Sequence, residues 1–382
     1  MLATLLLAVS AIPLPATGVA SALAQAQAAQ HEAPMIRDYL CAGGQYAENA
    51  AGEHIFQDQI YVEHLRPVHG ATQDHPIVFL HGSAQTATNW LNKPDGGRGW
   101  ASRFVELGYE LFLVDQPSRG RSTWQPATGP GLEPPFAAEN LQQRFTASEK
   151  YNLWPQAGLH TQWNGTGLMG DPVFDRFYAS QVQYTANLTF QQHKTQAAGA
   201  ALLDQIGKPV ILVGHSSGGQ LPMVIADARP GLTAGLILLE PSGPPFTNAG
   251  VQGSSPARAW GVTDIPLNYD PPVDDPAADL VRKIVPAPDE DHVDCTLQAD
   301  SPAPRRLANL ADKPILVVTA ESSFHAQYDY CTVDYLRQAG CASLEYVELG
   351  KAGVHGNGHM MFLEKNSDAI QDILEDWIAQ LN

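Results

Sequence analysis

Five short runs of aliphatic residues recur along the chain: Ile77–Leu80, Leu111–Val114, Val210–Val213, Leu236–Leu239 and Ile315–Val318. Each is too short for a helix, is rich in β-branched or leucine side chains and ends in polar or glycine-rich residues, which is the pattern of strands buried on both faces. The alternation Gln59–Glu63 predicts an antiparallel edge hairpin near the start, and Leu344–Leu349 a last strand. Helical spacing appears between the runs. Ala198, Ala201, Leu202 and Ile206 form an apolar stripe closed by Gly207 and Pro209, and Ile370, Ile373, Leu374, Trp377, Ile378 and Leu381 form another behind the expected caps Asn366 and Ser367. Strands alternating with amphipathic helices predict an α/β architecture, a mostly parallel central sheet covered by helices on both faces.

Two stretches break the alternation, about 123–183, rich in Trp, Pro and Gly, and about 242–310, rich in Pro and Asp. Long irregular segments in a compact domain usually form lids or binding loops, so residues 25–382 read as one catalytic domain carrying two insertions. Residues 1–24 read as a signal peptide: an apolar run from Leu2 to Ile12, then small residues and an Ala22-Leu23-Ala24 cleavage site, although no Lys or Arg precedes the run. The expected location is therefore extracellular, or periplasmic in a Gram-negative source. No later segment reaches the length of about 20 apolar residues that spans a bilayer, and stable membrane insertion is not expected.

Of the 382 residues, 44% are hydrophobic and 16% charged, ample for a large core. Forty acidic against 22 basic side chains give a net charge of -18, which disfavours nucleic acid as a partner. Four cysteines in an exported chain suggest disulfides, with three full pairings possible. The sequons at Asn164 and Asn187 are expected glycosylation sites in a eukaryotic source. Neither a CxxC pair nor an HExxH string occurs, so no metal and no cofactor are expected.

The chemistry centres on Gly214-His215-Ser216-Ser217-Gly218, a G-x-S-x-G turn seated between the strand Val210–Val213 and the helix-like Gln220–Asp227. In that setting the motif presents a serine nucleophile on a strained turn, and the flanking glycines relieve clashes with neighbouring chains. Charge developing on an attacked carbonyl oxygen needs fixed N–H donors. Ser217 supplies one, and the loop His81-Gly82-Ser83-Ala84 the other, from Ser83 with Ala84 as the alternative. A general base is expected between the last strand and the terminal helix, where His355 and His359 lie among glycines; His359 is preferred. For the acid that orients the base, Glu240 and Glu321 stand at two strand tips, and both remain open on the residues alone.

His81-Gly82-Ser83 with Trp90, the string Asp115–Ser122, Gly214–Gly219 and Gly356-Asn357-Gly358-His359-Met360 together resemble the α/β-hydrolase superfamily along most of the chain. The fold-wide pattern of that superfamily places the acid after the later strand, at Glu321. Glu240-Pro241-Ser242-Gly243-Pro244-Pro245 is similar to a secreted bacterial and fungal esterase branch whose acid is a glutamate ending the sixth strand. The resemblance thus implies Ser216, Glu240 and His359, with Glu321 as the alternative acid. A disulfide between Cys295 and Cys331 would tie the second insertion to the sheet; Cys331 with Cys341 is the local alternative.

The resulting expectation is a serine hydrolase cleaving carboxylic esters of small molecules through an acyl-enzyme on Ser216, with Trp124, Trp154 and Trp163 either lining a substrate pocket or packing the insertion down. Perhydrolase or haloperoxidase chemistry, lactone or amide cleavage, and a non-catalytic binding protein of the same fold are the alternatives. Dehalogenase and epoxide-hydrolase relatives use a carboxylate where Ser216 stands. Natural ester and oligomeric state are not legible.

Overall fold

A computed structural model describes residues 32–125 and 129–381; the expected signal peptide, residues 1–24, lies outside them. Eight strands form the main sheet: β1 (Met35–Glu48), β2 (His54–Pro67), β3 (Ile77–Leu80), β4 (Leu111–Asp115), β5 (Val210–His215), β6 (Thr233–Leu239), β7 (Ile315–Thr319) and β8 (Leu344–Glu348). Their order across the sheet is β1-β2-β4-β3-β5-β6-β7-β8. The pairings β1/β2 and β2/β4 are antiparallel, and every other pairing is parallel.

Period-two side-chain direction explains why the aliphatic runs must be buried on both faces. Val78, Leu80, Leu212, Leu238 and Val317 point into one core, with helices α3 (Leu188–Ile206), α4 (Leu221–Ala228) and α5 (Asp329–Gln338). Ile77, Phe79, Val213, Ile237 and Val318 point into the other, with α1 (Trp100–Glu106) and α6 (Ser367–Ile378). The parallel register sets Leu80 beside Gly214 and His215 beside Leu239, so the loops leaving β3, β5 and β6 open at one edge of the sheet.

Both expected helices form. α3 is capped by Asn187, whose side chain accepts from Phe190 N–H, and ends at Gly207 with φ 71°. At α6 the expected caps act differently: the Asn366 side chain turns away to exchange hydrogen bonds with Asn357, and only its backbone carbonyl receives Ala369 N–H. The partner strand of the edge hairpin, β1, is mostly exposed and shows no apolar alternation to announce it.

The first insertion contributes the helix α2 (Pro172–Ala179; α2 precedes α3 in the chain) and several short turns. None of its tryptophans lines the cavity that holds Ser216. Trp154 is 4% exposed, donates to Ser322 O at 3.0 Å and meets Phe324 edge-on; Trp163 packs on Phe177; Trp124 donates to Pro130 O. The second insertion forms two small ribbons, Tyr269–Asp270 with Arg306–Leu307 and Arg282–Val285 with Cys295–Gln298. A disulfide joins Cys295 to Cys331 on α5, Cα atoms 5.3 Å apart. Cys341 is buried and unpaired, so the local alternative with Cys331 does not form; Cys41 is exposed and unpaired. Among the described residues no helix is long and apolar enough to cross a membrane.

Candidate active site

β5 leads directly into Ser216, which sits at φ 58° in the left-handed region. A turn this sharp leaves no room for side chains around it. A Cβ on Gly214 would lie 2.2 Å from Gly218 O, one on Gly218 would lie 2.1 Å from His81 O, and one on Gly219 would meet Pro241 Cα at 2.7 Å. The glycines are required by close approach of backbone, and they leave Ser216 partly exposed at the floor of a cavity of about 380 Å³. Ser83, Ser217 and His359 line the same cavity.

The loop after β3 is pinned by buried polar groups. His81 donates from Nδ1 to Gly82 O at 2.9 Å and accepts Gln116 N–H on Nε2 at 3.1 Å. Burial, helped by the nearby charge of Arg119, lowers its pKa to about 4, so the ring stays neutral and keeps this donor and acceptor pattern. Asp115, at the tip of β4, accepts Ala87 N–H from the far end of the loop and holds Arg121 through the guanidinium Nε and the backbone. Ser83 Oγ donates to Ser217 Oγ at 2.8 Å, bringing the two expected oxyanion donors side by side. Ala84, the alternative donor, is fully buried at φ 57° and does not line the cavity.

His359 Nδ1 and Glu240 Oε2 are 2.5 Å apart, and both side chains are almost fully buried. Glu240 follows β6 at φ 47°, in the left-handed region like Ser216 and Ala84 at this edge of the sheet. Its Oε1 accepts Ala320 N–H at 2.8 Å and its Oε2 accepts Ser323 O–H at 2.7 Å. Burial, with Asp329 close by, raises its pKa well above the usual carboxylate range, and the donors from Ala320 and Ser323 pull against that rise. Burial also holds the His359 imidazole well below its usual value, and His215 and His325 push it the same way. The ring therefore rests neutral, with Nδ1–H directed at Glu240 and Nε2 left for a proton acceptor role.

The other two candidates form a separate pair. His355 Nδ1 lies 2.8 Å from Glu321 Oε1, and the imidazole is 65% exposed. Glu321 Oε2 also accepts Gly356 N–H, so this carboxylate props the loop before His359 and does not reach the His359 ring. The sequons are both exposed: Asn187 caps α3, and Asn164 donates to Asp95.

Several site residues escaped the sequence reading. Ser323 and Ala320 arrive from the tip of β7; only the adjacency of β6 and β7 reveals them. His325 stacks on His359 at 4.9 Å and is held by Asp329, an i, i+4 pair that the sequence shows but does not explain. Phe145 and Phe324 flank the His359 ring at 4.8 and 4.9 Å, from segments far apart in sequence. Glu364 accepts hydrogen bonds from Gly358 N–H and from His160 Nε2–H of the first insertion, fixing the loop from the other side. His160 bonds Glu149 with its second nitrogen; burial lowers its pKa, but the two carboxylates outweigh that and raise it to about 9.

Among the described residues, His215, Glu240 and His359 are the group whose ligand atoms, all within 4.8 Å of one another, could hold a metal ion. Glu240 Oε2 is engaged by His359 Nδ1 and His215 Nε2 by His359 O at 2.9 Å, while His215 Nδ1 is buried without a partner among the described residues. The hydrogen bond from His359 Nδ1 to Glu240 suits proton transfer between a serine, a buried imidazole and a carboxylate.

Comparison with known proteins bears on the fold and the family. The chain is 45% identical over 356 residues to a probable secreted lipase, phiG, of a fungal species (strain ATCC 74256), covering 92% of this chain and 93% of that one. A 47-residue stretch, 12% of this chain and 18% of the relative, is 53% identical to lipase LipV of Mycobacterium tuberculosis. The fold superposes on a solved bacterial esterase with a TM-score of 0.59 at 19% identity, covering 92% of this chain and 98% of the other. Residues 77–373 match the model of the alpha/beta hydrolase family, and the strand order, the strained serine turn and the extensive identity to phiG have a common origin: this chain is a member of the alpha/beta hydrolase family.

Proposed function

We propose that the protein is a secreted serine esterase that forms an acyl-enzyme on Ser216. The observation that carries this reading is the buried Glu240–His359 pair set beside a strained serine in one cavity. In the first step His359 Nε2 takes the proton of Ser216 Oγ as the oxygen attacks the ester carbonyl. The imidazolium is stabilised by Glu240, whose hydrogen bonds from Ala320 and Ser323 keep its oxygens aimed at the ring. The amides of Ser83 and Ser217 receive the developing oxyanion. The imidazolium returns its proton to the leaving alcohol, and water, activated by the same histidine, releases the acid and restores Ser216.

Secretion is supported by the apolar N-terminal segment, by the Cys295–Cys331 disulfide and by the relative described as a secreted lipase. A cavity near the lower end of the usual range of about 300–1,000 Å³ favours compact esters over long fatty chains. The test is hydrolysis of p-nitrophenyl esters from acetate to palmitate by the protein and its Ser216→Ala variant, with fluorophosphonate labelling of both. Turnover and labelling are expected in the protein and absent from the variant, with activity falling toward palmitate. Folded protein that neither labels nor turns over any ester overturns the reading in favour of a binding protein.

A further inference from the structure

Among the described residues, Arg144 is the one charged side chain, apart from the histidines, on the wall of the Ser216 cavity. It lies on a π-helical turn, Gln142–Thr146, that follows the short helix Ala138–Leu141. A π-helical turn is rare and is found frequently at functional sites, and here both Arg144 and Phe145 reach the cavity, with Phe145 against the His359 ring. Among the described residues the guanidinium has one hydrogen-bond partner, Val251 O, which accepts from Nη2 at 3.0 Å. Its Nε is buried without any acceptor, and no carboxylate of the described residues pairs with it.

Arg119 is likewise buried with an unmet Nε and no carboxylate partner among the described residues, but it does not line the cavity, whereas Arg144 does. Arg121, at the neighbouring β4 tip, has two carboxylates, Asp115 and Glu63. Burial lowers the Arg144 pKa from its ordinary value, only the Tyr328 hydroxyl pulling the other way, yet a guanidinium remains charged at any pH the fold meets. A half-buried cation with free fork donors is costly unless an anion arrives to meet it.

We propose that Arg144 is a specificity determinant that receives a carboxylate carried by the substrate, so that the preferred esters are acidic ones, such as half-esters of dicarboxylic acids. This rests on the esterase reading of Ser216. The aromatic wall of Phe136, Phe145 and Phe324 accommodates the apolar linker, and the guanidinium binds the distal carboxylate through charge-assisted hydrogen bonds. Recognition lies in binding, so KM carries it.

The experiment compares 4-nitrophenyl hydrogen adipate with 4-nitrophenyl hexanoate, of equal acyl length, for the protein and its Arg144→Gln and Arg144→Lys variants. The protein is expected to prefer the half-ester. Arg144→Gln should lose about 10–100-fold in kcat/KM on the half-ester, through KM, and little on the hexanoate, while Arg144→Lys recovers part of the loss. Equal losses on both esters overturn the proposal. A measurement on the unaltered protein guards against a misfolded variant: adipate should inhibit hexanoate hydrolysis competitively and less strongly as salt rises, and absence of inhibition overturns the proposal. Hydrolysis of both esters without preference sinks this inference alone, whereas a protein inert on both removes the esterase reading and this inference with it.

Discussion

Two histidine–glutamate pairs stand four residues apart on one loop and reach the tips of adjacent parallel strands, yet they have different fates. Glu240–His359 and Glu321–His355 are almost equally short, 2.5 and 2.8 Å, so distance does not separate them. Environment does. The first pair is 0% and 1% exposed; in the second the imidazole is 65% exposed. An exposed pair is screened by water and contributes about 0–1 kcal/mol. A buried carboxylate must have its lone pairs matched, and Glu240 has Ala320, Ser323 and His359 as donors. The difference teaches that a catalytic pair is recognised by the donors and aromatic walls that enclose it, not by its own contact.

The largest expected effect separates the two acids. Glu240→Gln should lower kcat on a p-nitrophenyl ester by about 10⁴-fold, because an amide cannot hold the imidazole with its proton on Nδ1. A loss confined to a few-fold would dissolve the comparison. Next comes the wall behind the buried pair. Trp154→Ala removes a side chain that packs on Phe324 and donates to Ser322 O, next to Ser323. Its unfolding free energy in urea should fall by about 3–5 kcal/mol, with ester-length preference unchanged; a shift in preference would restore the tryptophan to the pocket.

A smaller effect lies in the pH profile. Burial and the neighbours His215 and His325 lower the His359 pKa, so its neutral, proton-accepting form persists as pH falls below the ordinary 6.5. At pH 6 an ordinary imidazole would be about three-quarters protonated; kcat/KM here should remain near its maximum, and an acid limb centred at 6.5 or above would contradict the burial argument. The smallest effect belongs to the exposed pair: Glu321→Gln should change kcat by no more than a few-fold, through a looser hold on Gly356 N–H. A loss matching that of Glu240→Gln would reverse the assignment of the acid.

Much of this site was legible in sequence because its constraints are local. The serine turn needs Gly214 and Gly218 within two residues of Ser216, and the strand before it must be apolar on both faces, so both signals fall in one short string. The acid was not local. Glu240 and Glu321 both follow strands, and the resemblance to a glutamate-bearing branch, rather than any spacing, favoured Glu240. The pocket wall was not legible: the sequence left Trp124, Trp154 and Trp163 either lining a pocket or packing the insertion, and it is Phe136, Phe145 and Phe324 that line the cavity. Indole rings supply large area for packing an irregular insertion, and composition cannot say which face of a turn they take.

What the sequence determined by itself is the sheet and its strained serine turn, since period-two burial and backbone clearance depend on residues next to one another in the chain. Which glutamate meets which histidine, where Arg144 is left without a carboxylate, and which cysteine closes on Cys331 were decided by tertiary structure. Those outcomes depend on the lateral order of strands and on burial from water, and no run of neighbouring residues encodes either.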